Sequence, residues 1–428
     1  MNDGEVLPLV LDDRLPSAEG LQSTRLSTEA DHSADPRDLL ARVHPSFLAA
    51  GITRVADVTG LDRIGIPCAV AIRPNSRSLS VSQGKGLTRD LAIVSAVMEA
   101  LELSAAENLP ASVAGATMRA VEGARAPMVD LALSTRCRLD RVGTDEPLLW
   151  SEGTDLATGR TLLVPWSLVG IDYRPRPRGF ANGFQVSTDG LASGSNLEDA
   201  ILHGLCELVE RDATALLEFA AAEELARRVY AIDDSDAPEV VRMKDMIVRA
   251  GCRLTILDMT TDLGIPAFNA IISDTGESSA ATLYAHSGGS GCHPVPAVAL
   301  RKAIVEAAQS RITRITGSRD DLPAATYQAA EGSDRAQILG LLSFADGARA
   351  GRPKPEALST SMAAEENLEL MIQRLGEHGI SQLVAVPIEN DFGISVVRVL
   401  VPGLQTEITG SSSKLGRRAL IKLARRLQ

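Results

Sequence analysis

Residues 196–211 read NLEDAILHGLCELVER, a stretch that is apolar around most of a helix and carries one narrow line of polar side chains. The line consists of Asp199, His203, Glu207 and Glu210, which recur at intervals of three or four residues. Such intervals place side chains on one face of an α-helix. A solvated helix has a polar face at least as wide as its apolar face. The pattern therefore predicts a helix whose carboxylates are partly buried.

Two further stretches have the same pattern. Their polar side chains are Ser95, Glu99 and Glu102 within residues 91–102, and Lys302, Glu306 and Gln309 within residues 299–309. A buried carboxylate without a counter-charge is costly, or its pKa rises until it is neutral. Carboxylate oxygens in such pairs suit Mg²⁺, which keeps some water and binds substrate phosphates at its remaining positions. We therefore predict a cleft between three helices that holds Mg²⁺ and a nucleotide.

Each stripe has a simpler interpretation when it is taken alone. Glutamate pairs three residues apart are common on ordinary amphipathic helices, where they are solvated or paired with arginine. Recurrence of the pattern in three helices favours a shared site over three independent faces.

Composition excludes several other classes of protein. The chain has 428 residues, of which 45% are hydrophobic and 23% charged, as in soluble globular proteins with a large core. A net charge of −12 argues against a nucleic-acid partner. The sequence shows no signal peptide and no apolar run long enough to span a bilayer, so we expect a cytoplasmic protein without membrane contact. The five cysteines lack a C-x-x-C motif, which argues against zinc and a disulfide framework.

The order of predicted elements indicates one mixed α/β architecture. Residues 238–272 and 366–401 share the sequence helix, strand, Asp-x-Gly-Ile turn and antiparallel strand, which we interpret as an internal repeat, with chance similarity as the alternative. Residues 1–36 lack periodicity and are expected to be a mobile segment, while residues 411–428 form a basic helix or tail. The glycine-rich residues 286–293 are interpreted as a flexible loop, with close backbone approach to a ligand as the alternative.

Five motifs, taken together and in this order, resemble the YcaO family. They are Gly84-Lys85-Gly86, Ser95-x-x-x-Glu99-x-x-Glu102, Gly190-Leu191-Ala192-Ser193-Gly194, Glu207-Leu208-Val209-Glu210-Arg211-Asp212-Ala213 and Ala303-x-x-Glu306-Ala307-x-Gln309-Ser310-Arg311. The resemblance implies a YcaO-like fold in which residues 37–410 are the catalytic domain around a central ATP and Mg²⁺ cleft. In agreement with that, the sequence contains no Walker motif G-x-x-x-x-G-K-[ST].

The resemblance also assigns roles by position. The metal-binding carboxylates of the family match Glu99, Glu102, Glu207, Glu210 and Glu306. Positions that line the nucleotide match Ser95, Arg211 and Gln309. Lys302 stands where the family commonly has arginine, which keeps the charge and loses the planar fork. Lys85 is a further candidate for phosphate contact, with a simple turn position as the alternative.

One corner of the expected site departs from the family pattern. The family usually has Gly-Asn followed by a glutamate, whereas here Gly194 is followed by Ser195, and the acidic position is Asp199. We assign Asp199 to the metal and place Ser195 and Asn196 at the nucleotide, with Asn196 as the source of the missing amide. No catalytic acid or base is predicted.

The subgroup decides the expected product. Azoline-forming members end in a proline-rich tail that this sequence lacks, and residues 51–67 and 73–77 look like members that work with a TfuA partner. The resemblance implies ATP-dependent phosphorylation of a peptide backbone carbonyl oxygen, followed by replacement with sulfur to give a thioamide in a ribosomally made peptide or protein. An azoline-forming cyclodehydratase and a non-catalytic ATP-binding accessory factor for protein or ribosome modification are the alternatives. Expected partners are the precursor peptide, a TfuA-like protein that delivers sulfur and a second copy of the chain.

Overall fold

The structure, a computed structural model, describes residues 35–110, 113–125, 127–174, 181–275, 286–319, 355–406 and 414–427. Nearly all of the expected mobile segment 1–36, and the expected boundary near residue 410, lie outside the described residues. The α-helices among the described residues are α1 (Pro36–Val43), α2 (Phe47–Ala50), α3 (Arg89–Glu107), α4 (Met118–Gly123), α5 (Leu197–Leu217), α6 (Ala222–Arg227), α7 (Pro238–Arg249), α8 (Pro296–Thr316), α9 (Ala364–Glu377) and α10 (Arg417–Leu427).

The strands form antiparallel sheets. They are β1 (Arg54–Asp57), β2 (Cys68–Ile72), β3 (Val81–Lys85), β4 (Val113–Thr117), β5 (Pro147–Asp155), β6 (Thr161–Pro165), β7 (Leu191–Gly194), β8 (Val229–Tyr230), β9 (Cys252–Asp258), β10 (Ala267–Asp274), β11 (His286–Cys292), β12 (Val384–Pro387) and β13 (Ser395–Leu400). Across the described ranges, the sheet orders are β1-β2-β3, then β11-β10-β9-β8, then β4-β5-β12-β13-β7 with β6 beside β5. The predicted mixed α/β fold is confirmed.

Each of the three striped helices covers a different sheet. Helix α3 packs on β2 and β3, α5 packs on β7 and β13, and α8 packs on β10 and β11. The apolar face of each helix is buried against its sheet, as the sequence pattern predicted. The narrow polar stripes therefore do not face the sheets and are available to the space between the three helices. Among the described helices, none has the length and apolar content to cross a bilayer.

The two repeated segments have the predicted order of elements. In one, α7 precedes the antiparallel pair of β9 and β10, and in the other α9 precedes the antiparallel pair of β12 and β13. The turns contain Gly264 and Gly393 with φ of +67° and +75°, a left-handed conformation that favours glycine. The two units contribute to different sheets.

The glycine-rich residues 286–293 do not form the predicted flexible loop. Residues 286–292 are strand β11, which pairs with β10 along its whole length. A Cβ at Gly289 would lie 2.1 Å from the Ala307 nitrogen, and one at Gly291 would lie 2.2 Å from the Ala299 oxygen. These glycines thus allow α8 to pack directly on the strand backbone. The backbone of β11 therefore approaches a helix closely, and the alternative in the sequence analysis was close approach to a ligand.

The C-terminal helix α10 is fastened to α5 by a buried ion pair. The Arg418 Nε atom donates to both carboxylate oxygens of Asp212 at 3.0 Å, and the Asp212 side chain is fully buried. The Gln405 backbone N–H donates to the same carboxylate at 2.9 Å. On the next turn of α10, Lys422 Nζ contacts Glu224 at 2.6 Å. Helix α10 therefore holds the end of α5 that follows Arg211.

We expect Arg418→Ala to lower the free energy of unfolding by about 3 kcal/mol, because it leaves the Asp212 carboxylate buried without its cation. Urea titration followed by far-ultraviolet circular dichroism measures the change. The matched control is Arg417→Ala, since Arg417 is the exposed neighbour on the same helix and should change stability by less than about 0.5 kcal/mol. Equal losses in the two variants would contradict the anchoring role of Arg418.

Candidate active site

A cleft with a volume of about 520 Å³ lies between α3, α5, α8 and the start of α9. Five of the residues predicted for the site line it, and these are Lys85, Ser95, Asn196, Asp199 and Lys302. His203, which belongs to the polar stripe of α5, and His293 line it as well. The predicted convergence of the three helices on one cleft is therefore observed.

The five predicted glutamates do not line this cleft but lie behind its lining residues. Glu99, Glu102 and Glu207 form the first group, and Glu102 contacts the lining residue Ser193. All three are half-buried. Burial raises the pKa of Glu99 to about 7, and Glu207 adds to that rise. The pKa of Glu102 is well above its ordinary value, mainly through burial and then through repulsion by the other two carboxylates. The Ser193 hydroxyl donates to Glu102 Oε2 at 2.9 Å and offsets part of this rise.

Glu207 is held by groups on both of its oxygens. The Gly190 backbone N–H donates to Oε2 at 3.1 Å, and Arg211 Nη2 lies 3.4 Å from Oε1. Arg211 also pairs with Asp189 at 3.4 Å between Nε and Oδ1. Burial still raises the pKa of Glu207, because these contacts do not fully replace water.

Glu210 and Glu306 form the second group, together with Lys85. Burial, followed by repulsion from Glu306, raises the pKa of Glu210 to about 8. Burial also favours the neutral form of Glu306, but Lys85 Nζ lies 2.7 Å from its Oε2 atom and keeps the pKa of Glu306 below its ordinary value. The Ser290 backbone N–H lies 3.4 Å from the other oxygen. Lys85 is thus a partner of the carboxylate cluster, and its place at the end of β3 excludes the simple turn position.

This donor set fits the Mg²⁺ ions that the sequence predicted. Five glutamates on three helices influence each other's ionisation, and four of them have raised pKa values that a nearby cation would lower. Among the described residues, no three acidic, histidine or cysteine side chains form a ready-made metal cage. Mg²⁺ does not need one, since it binds through one or two carboxylates, water and substrate phosphates. On that chemistry, Glu99, Glu102, Glu207, Glu210 and Glu306 are the candidate ligands.

The other residues predicted for the site lie at the start of α5, among the carboxylates or apart from the cleft. Asn196 is the N-cap of α5, where its side-chain oxygen accepts from the Asp199 backbone N–H at 2.8 Å. The Ser195 hydroxyl donates to Asp199 Oδ2 at 2.6 Å. The shorter acidic side chain is therefore fixed at the start of the helix. Arg211 lies among the carboxylates instead of along the cleft, and Gln309 lies one turn after Glu306, half-buried and apart from the cleft lining.

Sequence reasoning missed three contributors to the site. Ser193 lay within a quoted motif but had no role, and Asp189 was not considered. Arg398 is fully buried near Glu207 and Glu102, and it stands in the otherwise apolar stretch Val396–Leu400. A lone arginine in a buried strand was the available signal, because charged residues are almost never fully buried without a purpose such as pairing.

An α/β protein with clustered carboxylates on three helices beside one cleft, and without a Walker loop, fits the class of proteins that bind nucleotide through metal ions. Residues 83–405 match the family model described as "YcaO cyclodehydratase, ATP-ad Mg2+-binding". The chain therefore belongs to the YcaO family. The predicted family is confirmed, and ATP and Mg²⁺, the predicted cofactors, are those of the family.

Relatives and solved structures agree with this assignment. The chain is 43% identical over 93% of its length to 94% of a Rhizobium leguminosarum bv. trifolii protein called "Uncharacterized protein in tfuA 3'region". It is 33% identical over 90% of its length to 97% of an uncharacterized protein from Methanothermobacter thermautotrophicus. YcaO from Methanopyrus kandleri, solved with AMPPCP and Mg²⁺, has the same fold with a TM-score of 0.66 and 20% identity, covering 90% of this chain and 97% of that one.

A second solved structure shares the fold over part of its length. It is a heterocyclase in complex with substrate and cofactor, with a TM-score of 0.70 and 20% identity. The match covers 92% of this chain, which spans only 55% of the heterocyclase. At this level of identity the likeness concerns the fold alone.

Proposed function

We propose that this protein uses ATP to activate a backbone amide of a ribosomally made peptide or protein and replaces the amide oxygen with sulfur. The observation that carries the proposal is the convergence of five half-buried glutamates from three helices beside one cleft. Such a cluster is costly unless cations bind there, and Mg²⁺ with a triphosphate supplies them. The relative from a tfuA region supports a sulfur-inserting reaction with a TfuA-like partner.

The chemistry must overcome two weaknesses of an amide. Its carbonyl carbon is a poor electrophile, and its oxygen is a poor leaving group. In the proposed reaction hydrosulfide adds to the carbonyl carbon, the carbonyl oxygen takes the γ-phosphoryl group of ATP, and the carbon–oxygen bond then breaks. As the carbon–oxygen bond breaks, the carbon–sulfur double bond forms and the proton of the hydrosulfide leaves with the phosphate. The products are the thioamide, ADP and inorganic phosphate, so every atom of the hydrosulfide and of the amide is accounted for.

The residues of this chain position the reactants and balance their charge. When bound, Mg²⁺ neutralises phosphate charge in a phosphoryl transfer. Lys85 and Lys302 place positive charge along the cleft, where a triphosphate would lie. Ser95 and Asn196 also line the cleft and carry groups that can hydrogen-bond to the nucleotide. Glu207 is kept in place by Arg211 and by the Gly190 backbone N–H.

The proposal includes a cytoplasmic homodimer that meets its precursor peptide and a TfuA-like sulfur-delivery protein. Azoline formation is the second candidate reaction, favoured by the word cyclodehydratase in the family description. There the nucleophile is a Cys, Ser or Thr side chain of the peptide, and the same glutamates and ATP serve both reactions. An accessory role without catalysis would leave the peptide unchanged.

Mass spectrometry of a candidate precursor peptide separates these possibilities. We expect co-expression with this protein and its TfuA-like partner to give a mass gain equal to the exchange of one oxygen for sulfur. Loss of one water would instead show azoline formation. The matched control is the same co-expression with Glu207→Gln, which should leave the peptide unmodified. An unmodified peptide with the wild-type protein, ATP and sulfide present would contradict both reactions and favour the accessory role.

A further inference from the structure

Two buried arginines lie behind the carboxylate cluster. Arg398 on β13 is fully buried, and Arg136 is 5% exposed. All hydrogen bonds that the structure describes for these two guanidinium groups end on backbone carbonyl oxygens. A buried cation held only by carbonyl groups is costly, so its placement calls for a functional reason.

Both arginines converge on one peptide group. Arg398 Nη1 donates to the Asp189 carbonyl oxygen at 2.9 Å, and Arg136 Nη1 approaches the same oxygen at 3.4 Å. The N–H of that peptide group belongs to Gly190, and it donates to Glu207 Oε2 at 3.1 Å. The Asp189–Gly190 peptide therefore connects two buried guanidinium groups to one oxygen of a candidate metal ligand.

The remaining contacts of these arginines fix this peptide in space. Arg398 Nε and Nη2 donate to the Val169 carbonyl oxygen at 3.1 and 2.9 Å, and Arg136 holds the Gln185 carbonyl oxygen at 3.1 and 3.2 Å. Gly190 has a φ of +72°, and a Cβ there would lie 2.3 Å from the Val399 oxygen. The peptide thus has one orientation, in which its N–H points at Glu207.

Charge reinforces the hydrogen bonds. Burial, followed by repulsion from Arg136, lowers the pKa of Arg398 to about 9, so this side chain is still cationic at neutral pH. Hydrogen bonds from cations to a carbonyl oxygen polarise the whole peptide group, and this makes its N–H a stronger donor. The positive charge of Arg398 also lowers the pKa values of Glu207 and Glu102.

We propose that Arg398, assisted by Arg136, is a positioning residue that acts through the Asp189–Gly190 peptide to orient Glu207 for Mg²⁺. The inference rests on the proposed function only in that it requires Mg²⁺ and nucleotide to bind at this site. Partners of metal ligands in other proteins act in the same way, and their loss lowers metal affinity by about 10- to 100-fold.

The test is the affinity for Mg²⁺ in the presence of a non-hydrolysable ATP analogue, measured by calorimetry without peptide or sulfide. We expect Arg398→Lys to weaken Mg²⁺ binding about tenfold, because lysine keeps the charge and loses the guanidinium fork. Arg398→Met, which loses the charge as well, should weaken it by up to about 100-fold. A graded loss of Mg²⁺ affinity in folded protein, smaller for lysine than for methionine, is a result that a purely structural role of Arg398 would not give.

The matched control is Arg73→Lys. Arg73 is also a buried arginine, but it binds Glu107 and the Ala50 carbonyl oxygen away from the cleft. It should lower stability without changing the affinity of the folded protein for Mg²⁺. If Arg398→Lys is folded and binds Mg²⁺ as the wild type does, the positioning role is overturned. If the wild type itself binds neither Mg²⁺ nor the analogue, the proposed function fails instead.

Discussion

Glu207→Gln is expected to lower peptide-dependent phosphate release by about 10²- to 10³-fold, the range seen when one preorganised charge-stabilising group is lost. Glutamine keeps the size of the side chain and can still accept from the Gly190 N–H. It cannot supply the negative charge that a Mg²⁺ ligand needs, and it removes the Glu207 carboxylate as a partner of Arg211. Phosphate release in the presence of precursor peptide, sulfide and ATP measures the loss.

The same substitution should not destabilise the protein in the absence of Mg²⁺. Burial raises the pKa of Glu207 above its unfolded value, so its ionised form opposes folding at neutral pH. A neutral side chain removes that cost. We therefore expect Glu207→Gln to unfold at an equal or higher urea concentration than the wild type, a pattern that distinguishes a functional charge from a structural one.

The matched control is Glu152→Gln, which makes the same chemical change at an exposed position of β5. It should leave phosphate release within about twofold, since surface substitutions away from a site have small effects. Glu207→Gln with near wild-type activity would contradict the assignment of Glu207 to the metal.

The three striped helices could be predicted because the signal was local. A helix with a wide apolar face and a polar stripe one or two residues wide can bury its apolar face in only a few ways. Each of α3, α5 and α8 covers a sheet. The carboxylates of α3 and α5, and those of α5 and α8, lie close enough to raise each other's pKa. The pattern also predicted that the carboxylates would be half-buried, and Glu99, Glu102 and Glu207 are. The carboxylates alone led to the prediction of Mg²⁺ and a nucleotide, and the family motifs specified that nucleotide as ATP.

The contacts between distant segments could not be predicted in the same way. Arg398 donates its hydrogen bonds to the carbonyl oxygens of residues 169 and 189, and no periodicity in the sequence connects these positions. Asn196 has a local role as the cap of α5, which competes with the nucleotide contact assigned to it. Strand β11 lacks the β-branched and aromatic residues that signal a strand, because its glycines are needed where α8 packs against it.

Gly289→Ala is expected to lower the free energy of unfolding by about 3 kcal/mol, at the upper end of the usual cost of overpacking a core. The new Cβ would lie 2.1 Å from the Ala307 nitrogen and 2.5 Å from the Glu306 carbonyl carbon, so α8 would have to move away from β11. Because α8 carries Glu306, Mg²⁺ binding should weaken as well. Urea titration measures the first effect and calorimetry with the ATP analogue the second.

Strand β11 offers its own control, because adjacent residues of a strand face opposite sides. Gly288 precedes Gly289, and a Cβ on Gly288 would have its nearest neighbour at 4.0 Å. Gly288→Ala should therefore change stability by less than about 1 kcal/mol, with a gain expected from the reduced freedom of the unfolded chain. Equal losses in the two variants would mean that strand propensity alone accounts for them. If stability and Mg²⁺ binding are both lost in Gly289→Ala alone, the glycine is required for α8 to pack on β11 and hold Glu306 in the carboxylate cluster.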